Sequence, residues 1–195
     1  MTAVAACLGA GIVALAGRRA DAPRLSDAVM DTLAAQGVAP DLVYTVALPG
    51  YELAEQSVGV IGDEGFGAVY VSPEGHQAEL TVDRGRFSDA MCAEAPIPHS
   101  DPPATATTCE RDGTGWYRAG GGRHEYVVAN HDHTLRLNAA TADLDRATLE
   151  TAIAHARQVT APSSDTTAPP SGRVERGDLP ASGDGAPNNT VGPGG

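Results

Sequence analysis

The chain has 195 residues, enough for one domain of ordinary size with appendages, and all 13 of its basic residues are arginines. Its formal charge is −12, and most of that charge falls on residues 41–160, which hold 18 acidic side chains against 8 arginines. An acidic domain without basic clusters repels phosphate backbones, so no nucleic-acid partner is expected.

The first segment, residues 1–22, contains the uncharged run TAVAACLGAGIVALAG at positions 2–17. As a helix these residues reach roughly 24 Å, short of the ~30 Å hydrocarbon core of a bilayer. The length suits a signal-peptide apolar region, and Ala14-Leu15-Ala16 supplies a small-x-small cleavage pattern. No basic stretch precedes the run, while Arg18-Arg19 follows it, against the usual charge order. This conflict points to a start codon upstream of Met1. Val4-Ala5-Ala6-Cys7 resembles a lipoprotein box, but the apolar run continues past it, which favours a buried helix cysteine. The segment is read as a cleaved leader or a membrane anchor.

Residues 23–40 are a short helix and linker. Leu25, Val29 and Leu33 fall on one helical face, the helix runs to about Gln36, and Gly37 stops it. Residues 41–160 are the folded domain. Leu42, Tyr44, Val46 and Leu48 alternate as in a strand that Pro49-Gly50 ends, and Tyr51 to Ile61 reads as a second, ragged strand. Asp63-Glu64 lies in a Gly-rich turn. The pair lacks the alternating ligand series of a calcium loop, so a hairpin tip is expected. Strands over 66–72 and 78–82 follow, then 115–118, 125–129 and 134–138, with Asn130-His131-Asp132 as a hairpin turn. Such short connections predict antiparallel pairing. A last helix begins at Asp145, with Leu144 and Leu149 at hydrophobic-staple spacing and a stripe of Leu149, Ala152, Ile153 and Ala156 to cover the sheet. Residues 161–195 hold 6 Pro and 7 Gly, too little apolar surface to offset chain ordering, and are expected to be disordered.

Cys92 and Cys109 lie 17 positions apart, with a Pro-rich stretch between them. Zinc sites of the finger and ribbon kinds pair their cysteines at two to four residues' distance, and neither cysteine has such a neighbour. A disulfide is favoured over free thiols, and both over metal binding or catalysis. Such a bond persists in an oxidising compartment, the same place that an apolar leader implies. His124, His131 and His133 are the weak metal candidates, since a hairpin that set His124 opposite His133 would gather them. Against this, two of the three belong in or beside a polar turn. Trp116, Tyr117 and Tyr126 read as core rather than a contact patch. Gly120-Gly121-Gly122 has no Lys and no following helix, and so is no phosphate loop.

At LPGYELAEQSVGVIGDEGFGAVYV, LTVDRGRFSDAMC, TCERDGTGWYR and RHEYVV, the chain resembles a family of membrane-anchored or secreted streptomycete proteins without an established activity. The likeness covers roughly residues 48–158 and includes both cysteines. It implies an extracytoplasmic domain behind a membrane segment and carries over no functional residues.

These readings predict an α+β fold: an antiparallel meander of about six strands under a C-terminal helix, stapled by Cys92–Cys109. The expected function is a non-enzymatic, membrane-associated extracytoplasmic domain that binds a protein or small ligand of the cell envelope, with no cofactor. The alternative is a metal-binding protein or hydrolase using His124, His131 and His133.

Overall fold

The computed structural model describes residues 21–160, apart from Ala104, Thr107 and Thr114. The expected leader, save its last two residues, and the expected C-terminal tail lie outside the described residues. Among the described residues no helix is long and apolar enough to cross a membrane.

The fold is α+β and its sheets are antiparallel. Helix α1 (Asp27–Ala35) starts where the Ser26 hydroxyl accepts from the Val29 N–H. It stops at Gly37, whose φ of +86° suits glycine, with the Val38 N–H returning to the Leu33 carbonyl and the Gly37 N–H to that of Ala34. Strand β1 (Tyr44–Thr45) is much shorter than the alternation over 42–48 suggests. Leu42 belongs to a 3₁₀ turn, and Leu42, Val43, Val46 and Leu48 are all buried, so the segment crosses the core and takes no place in the main sheet.

The main sheet has eight strands. Beyond β2 (Glu52–Leu53) and β3 (Gly59–Ile61) come β4 (Gly65–Val71), β5 (Gln77–Arg84), β6 (Thr108–Asp112), β7 (Gly115–Gly120), β8 (Arg123–Ala129) and β9 (His133–Ala140). Their order is β2-β4-β5-β9-β8-β7-β6, with β3 on the same outer edge of β4 as β2. The ragged strand expected over 51–61 is therefore two short ones. Between them the chain leaves the sheet in a 3₁₀ turn, and the Ser57 hydroxyl takes the hydrogen bond of the Val69 N–H at 2.8 Å. A side chain thus satisfies a β4 donor that the departing backbone cannot reach.

Neighbours β5 and β9 are separated in sequence by everything from Gly85 to Asp132. That insertion holds helix α2 (Asp89–Glu94), the cysteine loop and the β6–β8 run. At Gly115 a Cβ would meet the Val127 carbonyl oxygen at 2.3 Å and the Tyr126 ring at 2.6 Å, so β7 can approach β8 there only as glycine.

Each face of the sheet has its own cover. On one face Phe66, Ala68, Tyr70, Leu80, Val82, Leu135, Leu137 and Tyr126 pack with Leu33 of α1 and with Leu149, Ala152 and Ile153 of α3 (Arg146–Ala154). Asp145 caps α3 by accepting from the Thr148 N–H at 2.7 Å, and Leu144 and Leu149 join the same core, as the staple spacing predicts. The helix ends at Ala154, earlier than its apolar stripe suggests. Arg157–Gln158 instead forms β10, paired with β1. On the opposite face Phe87, Cys92, Trp116 and Val127 make a smaller core beneath α2.

Candidate functional site

Cys92 and Cys109 are bonded, with their sulfurs 2.10 Å apart and their Cα atoms 5.7 Å apart. Neither sits in a loop. Cys92 is fully buried on α2, which the Ser88 side chain caps, and Cys109 lies on β6. The disulfide therefore ties the helix to the edge of the sheet.

Beneath that tie runs a polar row that alternation in single strands does not reveal. Strand register sets Cys109 beside Arg118, Arg118 beside Glu125, Glu125 beside Asn138 and Asn138 beside Glu79. Arg118 and Glu125 are 0% exposed and ion-paired. The guanidinium also donates to the Cys92 carbonyl at 2.8 Å and to the Ala95 carbonyl, so one buried cation gathers the end of α2 onto the sheet. Burial pushes the Glu125 carboxyl above the ordinary range, an effect larger than the opposing pull of Arg118. Further along the loop, the His99 ring meets the Glu79 carboxylate at 2.6 Å. Three attachments thus hold the loop as a roof over this face.

The three histidines do not converge. His124 lies opposite Ala139 on β9 and Ala119 on β7, not opposite His133. It points into the α3 side of the sheet, where its Nδ1 meets the Tyr117 hydroxyl at 3.1 Å, and burial lowers its pKa and keeps it neutral. His133 stands six residues from Ala139, about 20 Å along an extended strand. There its ring is held by Asp132, Asn130 and the Tyr44 hydroxyl. His131 is exposed in the turn. The metal cluster weighed for His124, His131 and His133 is corrected by strand register. Among the described residues no group of three His, Cys, Asp or Glu side chains is placed to hold a metal ion.

The other residues singled out are structural. Asp63 is exposed at the β3–β4 hairpin tip, and neighbouring Glu64 binds Arg84, together with Asp41 and Asp132. Trp116 and Tyr126 are buried on opposite faces, with Trp116 Nε1 donating to Asp89 at 2.7 Å.

A feature unmarked in the sequence is a cavity of about 220 Å³ at the β2 end of the sheet. It forms because the segment through Val46 and Leu48 crosses above Tyr70, then turns back at Gly50 (φ +79°) into β2, where Leu53 pairs with Tyr70. Its buried wall is Val46, Leu48 and Tyr70; Tyr51 and Leu53 are half-buried; Asp21, Glu52 and Glu55 are exposed lining residues at its mouth. The Tyr70 hydroxyl accepts from the Val46 N–H at 3.0 Å, and burial pushes its pKa up to about 12, so it stays protonated. No single run carries the signal for this site, because its walls come from segments that are irregular or two residues long. Comparison of the chain with protein-family models, with curated proteins and with solved structures finds no match.

Proposed function

We propose that this chain is a non-enzymatic binding domain held at the outer face of the cell membrane, where it engages a ligand or partner of the envelope. The observation that carries the reading is the Cys92–Cys109 bond. It fastens a roof over a buried ion pair, so the fold depends on a bond that lasts in an oxidising compartment and is reduced in the cytosol. The apolar run within residues 1–22 supports attachment at the membrane, and the cavity beside Tyr70 supplies a place for a ligand.

Fractionation of native cells followed by thiol labelling tests the placement. The expected result is protein in the membrane or external fraction whose Cys92 and Cys109 label only after reduction. Cytosolic protein with both thiols free would overturn the proposal.

A further inference from the structure

We propose that the cavity lined by Val46, Leu48, Tyr51 and Tyr70 takes a small organic cation with an apolar body, an inference that rests on reading the domain as a binding module. The lining divides into two chemical zones. The inner side chains, Val46, Leu48 and Tyr70, are apolar apart from the Tyr70 hydroxyl, and the mouth carries Asp21, Glu52 and Glu55, with no basic residue lining it among the described residues. A ligand that fills such a site buries an uncharged body and leaves its charge at the rim, where water still reaches it.

The pairing of carboxylates elsewhere in the domain sharpens the argument. Asp41, Glu64 and Asp132 share Arg84, while Glu110 and Asp112 share Arg146. Asp21, Glu52 and Glu55 have no such partner among the described residues. Three carboxylates without an ion-pair partner among the described residues, set around one concave surface, make a field that attracts a cation and repels an anion. The Tyr51 ring beside them offers a π face to the same charge. Its hydroxyl pKa is raised by burial and further by Asp143 and Glu74, which are also negative. Deeper in, the Tyr70 hydroxyl accepts from Val46 but donates to no described residue, so its hydrogen is available to an acceptor on the ligand.

Tyramine has these features: an ammonium at one end, an aromatic body and a hydroxyl at the other. Tyrosol is its neutral counterpart and 3-(4-hydroxyphenyl)propionate its anionic one. The test is titration of the ¹⁵N-labelled full chain with each at low salt, read by amide shifts. Tyramine is expected to shift amides of residues 46–55 and Tyr70, with an affinity about tenfold above that of tyrosol, and the anion is expected to bind weakest. Raising the salt, or the double change Glu52→Gln and Glu55→Gln, is expected to erase the preference while leaving the melting temperature unchanged. Equal affinities for tyramine and tyrosol, shifts confined to another surface, or no shifts at millimolar tyramine would each overturn the cation site. None of those results touches the compartment of the protein. Cytosolic, reduced protein that still binds tyramine would instead overturn the envelope reading and leave the cavity's chemistry standing.

Discussion

Arg118 is the residue on which the second face depends. Its guanidinium, 0% exposed, satisfies a carboxylate on one side and two backbone carbonyls on the other. Burying two charges is unfavourable in itself, and the direction of the Glu125 shift shows desolvation outweighing the pairing. Removing one partner is therefore worse than removing both. Arg118→Met is expected to cost about 3–5 kcal/mol in urea unfolding, because it strands the Glu125 carboxylate. The double change Arg118→Met with Glu125→Leu is expected to recover part of that loss, the remainder reflecting the orphaned carbonyls of Cys92 and Ala95. A double variant no better than the single one would show that the pair is not what makes the first change harmful. Charged side chains such as those of Arg118 and Glu125 ordinarily lie outward on a strand. Nothing local says otherwise, since their burial comes from α2, which lies elsewhere in the chain.

At the scale of elements, α3 is the part whose design is local and whose boundary is not. Asp145 as cap, the Leu144–Leu149 staple and the stripe through Ile153 are all spaced along a dozen residues, so they can be read without knowing the fold. The C-terminal end escapes that reading because Arg157 and Gln158 pair with Thr45 and Tyr44, more than a hundred residues away. The same contrast holds for β2 and β3, where the edge of β4 and the Ser57 hydroxyl decide that one apparent strand is two. Ile153 is 3% exposed against the sheet. Ile153→Asp is expected to destabilise by several kcal/mol, enough to unfold a marginal domain, while Thr151→Asp on the exposed side of α3 changes thermal unfolding little. Equal melting of the two variants would mean that α3 does not cover the sheet through this face.

For the whole molecule, the insertion between β5 and β9 turns a one-faced sheet into a two-faced one. The α1 and α3 face has a broad apolar core, whereas the opposite face is small and polar and relies on its roof. The roof carries little regular structure beyond α2, so the disulfide supplies much of its order. Reduction, or Cys92→Ser, is expected to lower stability by about 2–4 kcal/mol in urea titration and to expose the 93–108 segment to proteolysis. An unchanged urea midpoint would show that Arg118 and His99 hold the roof unaided.

What the sequence determined by itself depends on near neighbours: the Asp145 cap and Leu144–Leu149 staple of the last helix, the turn at Asn130-His131-Asp132, the α+β class, and a cysteine pair whose spacing suits a loop closure. These follow from short-range geometry, because a cap or a hairpin turn is settled by residues within a few positions of each other. The tertiary structure alone decided that β9 lies against β5, that His124 stands away from His133, that Arg118 and Glu125 are dry, and that a cavity opens beside Tyr70. Alternation marks the face a strand presents but not which strand lies beside it. Desolvation is likewise set by whatever packs on top, and here that cover is supplied by segments distant in the chain.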